Sequence, residues 1–413
     1  MSIEAEEAQL AAPVAHRVLL RGASLSVVGL AAALTVLVGL VVVATRGGSQ
    51  GPTNSGLATA ISWQSGDISP PTAVAFERLV SIGDQLYLIA SANGVGDGTM
   101  SASEGIWAST DGLKWNRQAG IDAVKSPGTE SSTFADASSN GRGSAVLVGS
   151  EQTGDGVDRT AAWWTSDGKT WVSASVEGPA GRMLSVASRP DVLVAVGVDF
   201  SGNAAGWRST DGGSSWRSVS LPGAGRDAVD VTVWGDRFVA IGRSQDANDL
   251  LLWTSPDGAV WSLAQSPSDP SFYPSQLIPL RNTLAVLGHG VPGSAILTCG
   301  NDLTCARATV PVLGYTSSFT EIRAGAELSG TIVLSALSAT AGTAASPGSS
   351  TDASSGVAFW ASTDGRNWTT PSSSPSPIFV ISNLVVFNAR LVAVTVGPDL
   401  TPIVPTVMTG DLR

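Results

Sequence analysis

Few residues in this chain have the reactivity that catalysis or metal binding demands. There are two histidines, His16 and His289, and two cysteines, Cys299 and Cys305. Histidines so few and so far apart assemble neither a histidine zinc site nor a Ser-His-Asp triad. Gly96-Asp97-Gly98 and Asp155-Gly156-Val157-Asp158 place carboxylates at turn spacing. Neither supplies the ligand series of a calcium loop, and both read as solvated turns. No catalytic residue, metal or cofactor is therefore expected. What recurs instead is an aspartate beside glycine, at Asp111, Asp167, Asp211, Asp257 and Asp364. A carboxylate in a tight turn accepts hydrogen bonds from amides two or more residues on, and glycine supplies the unusual dihedral. These five are expected to hold turns together.

The elements around them repeat. Each aspartate lies in a stretch of the form Trp-x-Ser-x-Asp-Gly-x-x-Trp: WASTDGLKW from Trp107, WTSDGKTW from Trp164, WRSTDGGSSW from Trp207, WTSPDGAVW from Trp253 and WASTDGRNW from Trp360. The third copy carries one additional glycine. In the second copy Trp163, beside Trp164, stands at the register of the other leading tryptophans; with it, eleven of the 13 tryptophans belong to these copies, which makes tryptophan a packing residue of the repeat. The gap between Asp257 and Asp364 holds a degenerate copy, Leu297 to Cys305, with Cys299 at the Ser position, Asn301 at the Asp position and Cys305 at the closing Trp. A seventh, truncated copy ends at Asp411. The mean step is ~50 residues, a period that four-stranded propeller blades show. In the fourth unit, Asp230 to Trp234 pairs with Phe238 to Arg243, and Asp249 to Thr254 with Val260 to Gln265, each around a turn dipeptide. The fold expected is all-β: a seven-bladed propeller of four-stranded antiparallel blades over residues 58–413. Because the last unit lacks its fourth strand, about 59–64 should supply it, with Trp63 standing where Trp261 stands.

The repeat resembles the Asp-box, or BNR, repeat of sialidases and of many non-catalytic propellers; Ser209 to Trp216 has that family's spacing. The resemblance implies a structural turn between the third and fourth strands of each blade. Sialidases share an arginine triad, a Tyr/Glu nucleophile pair and an early Arg-Ile-Pro motif. No Arg-Ile-Pro occurs here, and of Tyr87, Tyr273 and Tyr315 the first sits in an alternating strand. A non-enzymatic binding or scaffold module for a protein or glycan is the expectation; a sialidase-like glycoside hydrolase, which would need two carboxylates across a cleft, is the alternative. In an up-and-down blade the boxes occupy the third turn. The polar stretches Ser91 to Glu104, Glu151 to Arg159 and Ser338 to Gly356 occupy the second, on the opposite rim, where binding residues are sought.

The N-terminal stretch differs from the rest. Residues 1–21 form a short cytoplasmic segment; from Gly22 to Thr45 no charge occurs. At ~1.5 Å per residue that covers about 36 Å, enough for a ~30 Å hydrocarbon core, so 22–45 reads as an uncleaved transmembrane helix. Residues 46–57 read as a flexible tether. Arg17 and Arg21 before the span against Arg46 after it favour an exported body. The net charge of −11, with no basic stripe, excludes nucleic acid as a partner. A monomer is expected, on the outer side of the cytoplasmic membrane. In an exported domain the only two cysteines, Cys299 and Cys305, are expected to form a disulfide.

Overall fold

The computed structural model describes residues 61–68, 74–92, 105–118, 129–140, 143–154, 156–246, 249–264, 271–290, 293–308, 319–339, 355–373, 380–396 and 405–412. The expected span at 22–45 and the tether lie outside them. Among the described residues no helix is long and apolar enough to cross a membrane.

Seven antiparallel sheets follow one another along the chain. Blade 1 is Val74–Ile82, Gln85–Ala92, Gly105–Ser109 and Asn116–Arg117; blade 2 is Thr129–Ser139, Ala145–Thr153, Asp158–Thr165 and Val172–Ser173. Blade 3 is Gly181–Arg189, Val192–Asp199, Ala204–Ser209 and Ser215–Val219; blade 4 is Gly225–Trp234, Arg237–Ser244, Leu250–Ser255 and Ser262–Ala264. Blade 5 is Tyr273–Pro279, Leu284–Gly290, Gly293–Cys299 and Cys305–Arg307; blade 6 is Phe319–Leu328, Thr331–Ala339, Ser355–Ser362 and Thr369–Ser373. Blade 7 takes Val380–Phe387, Arg390–Val396 and Pro405–Leu412 from the C-terminal end and Ile61–Ser65 from the N-terminal side. The first strands of successive blades neighbour one another in a ring that returns from blade 7 to blade 1.

The second strands explain why this chain builds blades rather than one sandwich. Runs such as Leu86-Tyr87-Leu88-Ile89 are apolar at every position because both faces of the strand are buried. Leu86 and Leu88 pack toward blade 7, while Tyr87 and Ile89 pack toward blade 2. The same alternation in each blade yields seven apolar layers, one per pair of neighbouring blades. The leading tryptophans Trp107, Trp163, Trp207, Trp253 and Trp360 are fully buried in these layers. Truncating one to alanine costs about 3–5 kcal/mol.

Register places the closing strand in the repeat. Trp63 lies opposite Gly410, and the pairing Thr254↔Ser262 in blade 4 puts Trp261 opposite Ser255. Gly410 and Ser255 stand at the same level, opposite Leu391 and Phe238 respectively. Trp63 thus occupies the Trp261 position, its ring 4.7 Å from that of Phe359 of blade 6 and tilted by 31°. Beyond the strand, Gly66 N donates to Val407 O of blade 7, and Asp67 N donates to Leu113 O of blade 1. The same parallel contact occurs after blade 2, where Ser175–Glu177 joins Ser215–Val219 and makes blade 3 five-stranded, one strand more than expected.

Three expectations are corrected. In the fourth unit the first strand begins at Gly225, and the last is only Ser262–Ala264. Glu151 to Arg159 is largely a continuing hairpin, with Glu151 opposite Arg159, instead of a loop insertion. Asp411 is no turn residue: it lies within the third strand of blade 7, where Arg390 Nε donates to its Oδ1 at 2.6 Å and Nη2 to its Oδ2 at 3.0 Å. Register makes it one residue too early to match Asp257.

Candidate functional site

Every first strand carries a β-bulge at the same level of the ring, and those of blades 2 and 4 carry a second nearer the strand's start. A bulge sets two residues against one and leaves a local break in the ladder. The residues just after it are Arg78, Asp136, Ser185, Asp230, Gln276, Ala324 and Asn383 in blades 1 to 7. Four of them bond across to the backbone of the next blade. Val186 N donates to Asp136 Oδ2 at 2.9 Å, Val231 N to Ser185 Oγ at 3.3 Å, Leu277 N to Asp230 Oδ2 at 2.6 Å and Gly325 N to Gln276 Oε1 at 3.1 Å. The belt therefore staples blades 2 to 6 at the inner ring. It has no polar side chain at Ala324, and Asn383 Oδ1 is buried without a partner among the described residues.

Within the belt, Ser185 Oγ lies 3.0 Å from Asp136 Oδ2 and 2.6 Å from Asp230 Oδ1. A hydroxyl has one hydrogen, so it can donate to one carboxylate only. The second contact becomes a hydrogen bond when the other carboxyl carries a proton. Burial pushes the Asp230 carboxyl up to about 7; the bonds from Ser185 and the Leu277 amide oppose this, and the charge of Asp136 adds to it. The side chain of Asp230 retains some accessible surface, yet protein encloses the carboxyl itself on several sides. Arg78 Nε faces Asp136 Oδ1 at 3.6 Å. The arrangement is an Asp–Ser–Asp unit whose oxygens also hold neighbouring amides.

The five recurrent aspartates fold their own turns. Asp257 Oδ1 accepts from Ala259 N at 2.9 Å and Val260 N at 3.2 Å, and Ser255 Oγ accepts from Gly258 N at 2.8 Å. Asp111, Asp167 and Asp364 repeat this geometry. Asp211, in the longer copy, holds Ser215 N instead, at 3.0 Å. The Ala259 and Val260 amides hold Asp257 below the usual carboxylate range, and those of Thr170 and Lys169 do the same for Asp167. Gly258 has φ +74°, and a Cβ there would meet Val194 of blade 3 at 2.4 Å. The turn glycine thus serves both a left-handed dihedral and a close seat on the preceding blade.

The degenerate copy works differently. Asn301 occupies the aligned position, but Asp302 supplies the carboxylate, accepting from Thr304 N at 3.0 Å and from Thr304 Oγ1 at 2.8 Å. Cys299 and Cys305 are cross-strand partners joined by a disulfide. They replace the Ser–Trp pair that brackets the other turns. Reducing the bond should cost about 2–3 kcal/mol by loop entropy. Equilibrium unfolding with and without reductant checks this, and equal midpoints would contradict it.

The two rims differ in what their side chains do. On the turn rim, Arg189 Nη1 donates to Asp236 O and Pro256 O of the next blade at 2.8 Å each, and Arg237 donates to Asn301 O. Asn388 Nδ2 donates to Thr110 O at 3.2 Å. These polar groups stitch blade to blade. On the opposite rim, Tyr273 lies between the Arg243 guanidinium, 5.2 Å from its centroid, and the His289 ring, 5.1 Å away and inclined by 7°. Arg243 also pairs with Asp227, and Asp158 with Arg182 at 2.8 Å. Phe200, at the second turn of blade 3, is 51% exposed.

Tyr87 is buried, its hydroxyl donating to Gln85 Oε1 at 3.0 Å. Tyr315, Gly96-Asp97-Gly98, Asp155 and residues 93–104 and 340–354 lie outside the described residues. Asp158 is held by Arg182 rather than set in a calcium loop. Sequence reading missed the belt and the Arg243–Tyr273–His289 stack.

No family model matches the chain, and no curated protein matches it in sequence. Among solved structures it is similar to a streptogramin B lyase, at 9% identity and TM-score 0.54, covering 86% of this chain and 98% of that one. A catalytically inactive virginiamycin B lyase from Staphylococcus aureus with quinupristin gives 10% identity and TM-score 0.54, covering 86% of this chain and 100% of the other. A Hadza microbial sialidase gives 13% identity and TM-score 0.44, covering 83% and 65%. The lyase likenesses show the fold, a propeller, and nothing of the chemistry.

Proposed function

We propose that this chain is a non-enzymatic binding or scaffold propeller of the Asp-box (BNR) type, tethered by residues 22–45 to the outer side of the cytoplasmic membrane. Its partner is a protein or glycan, taken up on the rim opposite the Asp-box turns. The observation that carries this reading is the contrast between rims. Carboxylates and arginines of the turn rim bond to turn backbone, while the other rim presents the Arg243–Tyr273–His289 stack on blades 4 and 5 and an exposed Phe200 on blade 3. Aromatic, arginine-bearing surfaces of this kind favour recognition. Of the carboxylates at the inner ring among the described residues, Asp136 and Asp230 approach one another, and both are tied to amides of neighbouring blades.

The purified full chain is expected to leave a fluorogenic sialoside intact. Turnover that disappears on Asp136→Asn or Asp230→Asn substitution would establish the hydrolase instead. Protease added outside intact spheroplasts is expected to remove the propeller; full protection would refute the orientation.

A further inference from the structure

Blade 3 departs from the repeat in several ways at one place. Its turn has the additional glycine, with Gly212 and Gly213 at φ +77° and +98°, so Ser209 Oγ accepts from Gly213 N at 3.0 Å, one residue later than in the other copies. It alone among the described blades carries a fifth strand. Between this outer edge and the turn of blade 4 lies a cleft of about 360 Å³, lined by Arg208, Thr210, Ser215, Arg217, Val219 and Ala259.

Arg208 and Arg217 are direct cross-strand partners and face the same cleft. Like charges placed opposite each other destabilise a sheet. The local compensation is partial. Arg217 meets Glu177 at 3.7 Å, with the two side chains 83% and 71% exposed, a pair that contributes little in water. Arg208 donates from Nε to Asp257 O at 3.0 Å and feels the charge of the Asp257 carboxylate, while its two terminal nitrogens have no hydrogen-bond acceptor among the described residues.

We propose that this cleft binds an oxyanion borne by a small polar ligand, such as the carboxylate of an acidic sugar. Two guanidinium forks match the oxygens of a carboxylate or phosphate and neutralise each other's repulsion through it. The Thr210 side chain supplies a hydroxyl for polar substituents, Ser215 Oγ, which donates to Asp211 Oδ2 at 2.5 Å, supplies an acceptor, and Val219 and Ala259 supply apolar wall. The volume lies at the lower end of the range for small-molecule sites. A chain of net charge −11 would otherwise repel such a ligand. The site is separate from the rim proposed above, so either proposal can fail alone.

Isothermal titration of the full chain at low ionic strength tests it, with sodium glucuronate and inorganic phosphate as arms and glucose as the neutral control. Glucuronate is expected to bind with Kd on the order of 1 mM, and glucose not to bind. Arg217→Gln, at an exposed position, is expected to weaken binding at least tenfold, and Arg366→Gln, on blade 6, to leave it unchanged. Binding of either anion that is lost in R217Q supports the site, and the arm that binds names the source. Absence of binding by both anions, or equal binding to R217Q, overturns it.

Discussion

Deleting residues 57–66 lowers the melting temperature of the whole propeller by about 5–10 °C in a single cooperative transition, whereas deleting 47–54 leaves it unchanged. The first deletion removes Ile61–Ser65 and its five register pairs with Pro405–Leu412. It also removes Trp63 from the layer between blades 6 and 7, where it packs with Phe359 and Met408. The half-buried indole and its strand account for about 5 kcal/mol, and an edge once paired becomes open. For a domain of this size that converts to several degrees. The loss is felt by all blades because the ring is closed at this point alone by strands from distant parts of the chain. A point variant sharpens the test: Trp63→Ala should produce roughly half the shift. Unchanged melting after the 57–66 deletion would mean that blade 7 stands without its outer strand.

Asp230→Asn should flatten the dependence of stability on pH between about 4 and 7. In the folded chain burial raises Asp230 to about 7, against an ordinary value near ~3.9 in the unfolded chain. Between those values the folded state holds a proton that the unfolded state has released, so stability falls as pH rises. The contribution is fully present below about pH 4 and is gone above about pH 7. The full shift corresponds to at most about 4 kcal/mol, less what the coupling to Asp136 shares out. Asparagine keeps an acceptor for Leu277 N and can donate to Ser185 Oγ, losing mainly the Val231 amide, a cost of about 1 kcal/mol. The curves should therefore cross: native protein more stable at pH 4, variant more stable at pH 8. Urea unfolding at both values reads this out, and parallel profiles would refute a raised Asp230 carboxyl. The acid limb runs the other way. Asp111, Asp167, Asp257 and Asp364 are held low, so their stabilisation is present above the ordinary carboxylate value and is lost as pH falls.

The repeat made most of this fold legible. Tryptophans flanking Asp-Gly mark each blade, and ATAISWQSG reads as a post-turn strand even though no turn precedes it. Asp411 misled because composition at the end of the chain resembles the approach to a turn, and only register distinguishes a strand residue from a turn residue. Asn301 misled because an ungapped alignment cannot show that the carboxylate has moved to Asp302. The belt escaped for a different reason. Its members differ in type from blade to blade, and the bulge before each breaks the alternation that would expose it. A polar residue at this level in six of the seven first strands was the available signal.

The claim that the working face lies opposite the turns is tested most directly by photo-crosslinking from single sites. Photoreactive residues placed at Phe200 and at His289 should yield adducts in intact cells of the source organism. The same residue at Arg366, on the turn rim, should yield none. Adducts from Arg366 alone, or equally from all three sites, would contradict the assignment of the rim.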